Sequence, residues 1–211
     1  MNYYISDTHF GWTNKYENKT LETDQLIKSN WNSVVTNADD VYMLGDIGKS
    51  GTNKDNEKLC ELVSTLKGRK HLVVGNHDKG VLKDYRLRQL FDDINFYQEI
   101  EDNIKVDGKQ TNFTVVLSHY PILIWNGQHK PVKRQEYSKF VHLYGHVHMS
   151  EEYDFCKEVY KCLNGFFEAK KECGSADCYQ VQAVNVGCML WDYTPRRLDE
   201  LLKDKEGKNV E

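Results

Sequence analysis

The chain has 211 residues, of which 39% are hydrophobic and 28% charged, with a formal net charge of -4. That is an ordinary globular balance with enough chain for a sizeable core, and it excludes a disordered protein. Lys and Arg gather in no long block, which argues against broad electrostatic capture of DNA or RNA but not against a nucleotide substrate.

No apolar run reaches the length that spans a bilayer. The opening residues meet ionisable groups almost at once and show no basic stretch followed by an apolar one, so no signal peptide is expected. The expectation is a cytoplasmic chain without a membrane segment. Its six cysteines, Cys60, Cys156, Cys162, Cys173, Cys178 and Cys188, are then expected to be reduced.

In chain order, Tyr3-Tyr4-Ile5 reads as a short buried strand ending at Ser6-Asp7. Leu26, Ile27, Trp31, Val34 and Val35 then recur at helical spacing and predict one apolar face. Asp40 to Leu44 predicts a second strand ending at Gly45-Asp46. Leu59, Leu62, Val63 and Leu66 mark a second amphipathic helix, and Leu72 to Val74 a third strand ending at Gly75-Asn76-His77-Asp78. This β-α-β-α-β order favours a parallel sheet covered by helices.

A weaker helix is expected near Asp84 to Phe91. Phe96 to Ile100 and Phe113 to Leu117 read as strands with a turn signal at Asp107-Gly108, the second strand ending at Ser118-His119. Phe140 to Tyr144 ends at Gly145-His146, and Tyr179 to Val186 is a late strand. Thr194-Pro195 is expected to open a last helix carrying Leu198, Leu201 and Leu202. With no repeat and no linker, residues 1–211 read as a single domain, with 151–178 as a polar, cysteine-containing insertion.

Five apolar runs thus end in residues that can ligate a metal: Asp7 with His9, Asp46, Asn76 with His77, His119, and His146 with His148. In open α/β sheets the carboxyl ends of the strands line one crevice, which would gather these positions at one edge. Two carboxylates, an amide oxygen and four imidazoles suit divalent Mn, Fe, Zn, Ni or Co, with Mn the favoured choice. Seven ligands are too many for one tetrahedral ion and suit two ions. The absence of cysteine among them disfavours a structural zinc site.

Asp7-Thr8-His9, Gly45-Asp46, Gly75-Asn76-His77-Asp78, His119 and Gly145-His146-Val147-His148 together resemble, in order and spacing, the signature of the calcineurin-like metallophosphoesterases. Asn185-Val186-Gly187 resembles the family's closing strand. The resemblance implies an α/β fold, a four-layer αββα sandwich with two mixed β-sheets flanked by helices. It implies a first ion on Asp7, His9, Asp46 and His148, and a second on Asp46, Asn76, His119 and His146, with Asp46 bridging. His77 would stand at the leaving group, with Asp78 orienting or charge-tuning it.

The implied activity is two-metal hydrolysis of a phosphomonoester or phosphodiester by a hydroxide bridging the ions, on a small phosphorylated or nucleotide-like substrate. Two other readings use the same residues: a catalytically silent metal-binding scaffold, and a nuclease. The presence of every expected ligand and of His77 favours catalysis. The sequence leaves open the natural substrate, the choice between monoester and diester, the physiological metals and the oligomeric state.

Several other residues carry two readings each. His71 reads as structural or exposed, and His142 as a packed strand residue. His129, with Lys130, Lys133 and Arg134, forms either a solvated basic loop or a phosphate-facing rim. Cys156, Cys162, Cys173 and Cys178 read as reduced thiols or, at spacings that match no familiar pattern, an extra zinc site. Trp12 and Trp125 read as packing residues or as platforms for a substrate base. Many small bacterial members of the family carry His after the glycine where this chain has Gly11-Trp12, so no substrate contact carries over to that position.

Overall fold

The computed structural model describes residues 1–13, 20–106, 108–128, 130, 138–172 and 181–207. His129, Lys133, Arg134, Cys173 and Cys178 lie outside these residues, as does the Asp107 half of the expected turn.

The first sheet contains β1 (Asn2–Ile5), β2 (Asp40–Met43), β3 (Arg69–Val73) and β4 (Asp93–Asn95), paired in that order and parallel throughout. Two helices separate its first three strands: α1 (Leu21–Val34) and α2 (Asn53–Ser64). Two short helices, α3 (Lys79–Lys83) and α4 (Tyr85–Arg88), precede β4. The second sheet runs β5 (Tyr97–Val106), β6 (Lys109–Ser118), β7 (Phe140–Tyr144) and β8 (Gln182–Asn185). There β5 and β6 form an antiparallel hairpin while β6, β7 and β8 are parallel, so this sheet is mixed. The αββα sandwich is therefore present with one mixed sheet and one parallel sheet. Helix-spaced connections between β1, β2 and β3 are the reason, because parallel neighbours need such crossovers.

Strand alternation sorts the side chains into layers. Tyr3, Ile5, Val41, Met43, Leu72 and Val74 point toward α1 and α2, where Ile27, Trp31, Leu59 and Val63 are buried. Their neighbours Tyr4, Tyr42, Leu44 and Val73 point the other way, into a second core shared with Phe113, Val115, Leu117, Val141, Leu143 and Val184. This inter-sheet core also receives Leu198 and Leu201 of α6 (Leu198–Gly207). Across it the Tyr4 hydroxyl donates to Asp102 Oδ2 at 2.6 Å. The outer face of the second sheet packs Val116, Trp125 and Val181 against Tyr160 and Leu163 of α5 (Glu151–Glu172).

Three expectations change in detail. Leu26 is exposed, so the buried stripe of α1 is narrower than its apolar residues implied. The last helix begins at Leu198 rather than at Thr194-Pro195. Arg196 is held in an antiparallel bridge to Tyr4, which keeps the preceding residues out of the helix. The expected insertion begins as one 22-residue helix, α5. No described helix is long and apolar enough to cross a membrane.

The two remaining described histidines are structural. His71 joins strands, with Nδ1 2.5 Å from Asp93 Oδ2 and Nε2 3.0 Å from Asp40 Oδ1, its ring stacked on Tyr42. His142 is fully buried between Trp125 and Tyr144. Its Nδ1 lies 3.2 Å from the Val116 carbonyl, and its Nε2 accepts from the Ile122 amide at 3.3 Å, a pairing that uses the neutral ring.

Burial holds the His142 pKa down at about 4, from its ordinary 6.5. The unfolded chain therefore binds a proton below the unfolded pKa that the native state refuses. Stability present above pH 6.5 is lost as pH falls through the window toward 4, by roughly 2–3 kcal/mol from this group. Urea unfolding at pH 7 and pH 4.5 checks this. The pH-dependent loss is expected to shrink by about that amount in His142→Gln, which does not titrate.

Candidate metal centre

The parallel strands deliver every expected ligand to the same edge of the sandwich. Asp7 and His9 follow β1, Asp46 follows β2, Asn76 to Asp78 follow β3, His119 follows β6, and His146 and His148 follow β7. A parallel bridge between Ser6 and Gly187 aligns the exits of β1 and β8, so both sheets open their carboxyl ends on one crevice.

Two groups of donor atoms result. Asp7, His9 and His148 form one, and Asp46, His119 and His146 the other, the donor atoms within each group lying within 4.8 Å of one another. In the first, His148 Nε2 is 3.4 Å from Asp7 Oδ1 and 3.2 Å from His9 Nε2. In the second, Asn76 Oδ1 lies 3.0 Å from His119 Nε2. Asp46 connects the two, with Oδ2 3.8 Å from His9 Nε2 and 3.6 Å from His119 Nε2. The seven expected ligands are therefore all brought together.

The backbone is bent to present them. Of the seven described non-glycine residues with positive φ, five are Asp7, His9, Asp46, His146 and His148. Such conformations cost about 1–3 kcal/mol each and persist only when the surroundings impose them. Asp78 is the main brace, fully buried, its carboxylate accepting from the amides of Asp46 at 2.9 Å, Ile47 at 3.0 Å and Gly75 at 2.8 Å. Asp7 accepts from the His146 amide through both oxygens, at 3.0 and 3.2 Å.

Ser6 Oγ donates to the Leu44 carbonyl at 2.7 Å, and Cys188 Sγ to the Asp7 carbonyl at 3.2 Å. Asn185 donates to the His148 carbonyl at 3.3 Å and accepts from Gly187 at 2.9 Å. Two glycines are forced by crowding. A Cβ on Gly145 would strike Ser6 Oγ and the Asp7 carboxylate, and one on Gly75 would strike the Asp46 carboxylate and amide.

The donor chemistry fits divalent ions. The Leu44 carbonyl lies 2.7 Å from His119 Nδ1, and a proton held there leaves Nε2 as the free acceptor. Burial lowers the pKa of His9 and of His146, favouring the neutral rings that can ligate. Burial pushes the Asp7 carboxyl up, but the neighbouring imidazoles, led by the His148 hydrogen bond, outweigh it and bring it below the usual range. Asp78 goes the other way, raised by burial despite its three amide partners.

His77 lies at the rim. Its amide donates to Asp46 Oδ1 at 2.9 Å, its side chain is 42% exposed, and its Nε2 is 4.0 Å from Asp46 Oδ2. The Asp78 carboxylate accepts from backbone amides beneath Asp46, while the His77 ring meets neighbouring rings. Trp12 sits edge-on to His77 with centroids 5.0 Å apart, and tilted to His9 at 5.7 Å. Trp125 is buried packing, as its apolar surroundings require.

Reading from the sequence missed Ser6, Asn185 as a brace, and Tyr120, whose ring lies 4.6 Å from His146 and 5.0 Å from His119. Tyr120 directly follows a ligand, which was the available signal. Among the described residues no cysteine joins either donor group: Cys60, Cys156 and Cys162 are free thiols, and Cys188 Sγ donates to the Asp7 carbonyl. Lys130 lies over the Phe140 ring at 4.4 Å.

Comparison with known proteins agrees with this geometry. The profile of the calcineurin-like phosphoesterase superfamily domain matches residues 2–192. The chain is 43% identical over 83 residues to the uncharacterized protein MJ1445 of Methanocaldococcus jannaschii, covering 36% of this chain and 46% of that protein. The chain thus spans about half the length of that relative. It is 29% identical over 160 residues to the gene 66 protein of Mycobacterium phage D29, covering 69% of this chain and 77% of the phage protein. The crystal structure of the protein of unknown function AQ665 from Aquifex aeolicus superposes with a TM-score of 0.62 at 28% identity, covering 96% of this chain and 98% of that one. The chain belongs to the calcineurin-like phosphoesterase superfamily.

Proposed function

We propose that the chain hydrolyses small phosphomonoesters or phosphodiesters, nucleotide-like ones among them, with two divalent ions. Asp7, His9, Asp46 and His148 hold one ion, and Asp46, Asn76, His119 and His146 the other, with Mn the favoured metal. The observation that carries this is the placement of Asp46 between the two donor groups, its Oδ2 facing His9 on one side and His119 on the other.

When bound, the ions supply Lewis-acid stabilisation of the phosphoryl oxygens and acidify a water that serves as nucleophile near neutral pH. Asp7 and Asp46 only partly offset two divalent charges, so the crevice attracts an anion although the chain is net acidic. Asp78 keeps the Asp46 and Gly75 turns in register, so the ligands need not reorganise during turnover. His77, on the open side of Asp46, donates a proton to the departing oxygen.

Metal removal tests the reading. Chelator-stripped protein is expected to cleave neither bis-p-nitrophenyl phosphate nor p-nitrophenyl phosphate, and to regain activity with Mn²⁺ at two ions per chain. The ester cleaved faster separates diesterase from monoesterase. Protein that carries two ions yet cuts neither ester would return the chain to the scaffold reading.

A further inference from the structure

The open surface beside the donor groups is aromatic in a way that hydrolysis does not require. Trp31 and Trp125 are buried at 0% and 5% exposure, whereas Trp12 is 36% exposed. Its position is fixed from behind. Gly11, at φ +77°, donates its amide to Asp24 Oδ2 at 2.7 Å, and the Trp12 amide donates to the His9 carbonyl at 3.1 Å. The indole thereby meets His9 of the first donor group and the candidate proton donor His77. Tyr120, 48% exposed, meets His119 and His146 of the second group. Each donor group therefore has one partly exposed aromatic ring at its side.

We propose that Trp12 and Tyr120 form an aromatic rim that selects nucleoside phosphates, with the phosphoryl group at the donor groups and the nucleobase against Trp12. The inference rests on the two-ion reading and narrows its substrate class. A nucleobase offers a flat π-face one sugar away from the phosphorus, which alkyl and simple sugar phosphates lack. Stacking on an aromatic side chain strengthens binding by about 10- to 100-fold per base and tolerates different bases. Ring packing on His77 alone would need no exposed indole face and no second ring beside the other group.

The test is calorimetry on Mn²⁺-loaded protein with two uncleavable ligands: methylphosphonate, and the phosphonate analogue of adenosine 5′-monophosphate in which carbon replaces the 5′ bridging oxygen. The wild-type chain is expected to bind the nucleotide analogue about 10- to 100-fold more tightly. Trp12→Leu is expected to reduce that preference to a few-fold while methylphosphonate affinity stays put, and Trp12→Phe to restore most of it. Equal affinity for the two ligands in the wild type overturns the rim. So does a Trp12→Leu variant that weakens both ligands alike, because Trp12 then only positions the histidines. Wild-type protein that binds neither ligand overturns the two-ion reading itself and the rim with it.

Discussion

Asp46→Ala is expected to empty both donor groups and to lower turnover by about 10⁴-fold or more, beyond what one proton-transfer group supplies. The Asp46 side chain is only 2% exposed. Its Oδ2 serves His9 and His119, and its Oδ1 accepts the His77 amide at 2.9 Å. Alanine removes the shared charge and releases that amide at once. Asp46→Asn separates the two effects, since the amide oxygen can still accept from His77 while the charge is gone. Metal content per chain and hydrolysis of bis-p-nitrophenyl phosphate, measured together, decide the matter. An Asp46→Ala protein that keeps two ions at wild-type affinity would remove Asp46 from the centre of the site. The Asp46 amide still reaches Asp78 in both variants, so the turn keeps its main brace.

His77→Ala should behave differently: both ions retained, and turnover down by about 10²–10⁴-fold. The ring stands outside both donor groups and is 42% exposed, so its loss leaves no cavity in the core. Its backbone bond to Asp46 survives the substitution. The dependence on leaving group is the sharper measurement. A departing alkoxide needs the proton and should show the upper end of the loss. A departing p-nitrophenolate is already a good leaving group and should show the lower end. Equal losses for both esters would mean that His77 contributes charge or position instead of a proton, and undiminished turnover would remove it from the chemistry.

Much of the site was legible because chemistry and position coincide at the strand exits. A polar ligand residue directly after a β-branched or aromatic run, as in Val116-Leu117-Ser118-His119, marks both the end of a strand and the edge of a sheet. The partners of those residues were not legible, because hydrogen bonding across the crevice leaves no periodicity. Asp78 adjoins His77 in sequence, yet its carboxylate turns down to three amides, two of them from the β2 exit.

Helix α5 was obscured for a related reason. Its buried contacts come from Tyr160 and Leu163, while Phe155 and Phe166 are exposed, so no clean apolar stripe separates it from a polar loop. At the last helix, Thr194 and Pro195 carry good start chemistry, and the bridge from Arg196 to Tyr4 overrides it. A contact nearly 200 residues away in the chain cannot be seen in a local pattern.

The two sheets come from consecutive halves of the chain, β1–β4 from residues 2–95 and β5–β8 from residues 97–185. Each half can pair its own strands without waiting for the other, apart from the bridges that β1 and its exit make with the C-terminal segment. The donor groups divide the other way. The first half contributes Asp7, His9, Asp46 and Asn76, the second His119, His146 and His148, and both groups draw on each. Neither half contains a complete group. The site therefore comes into being only when the halves dock across the Tyr4, Leu44, Leu117 and Leu143 layer, which makes its assembly a late, non-local event in folding.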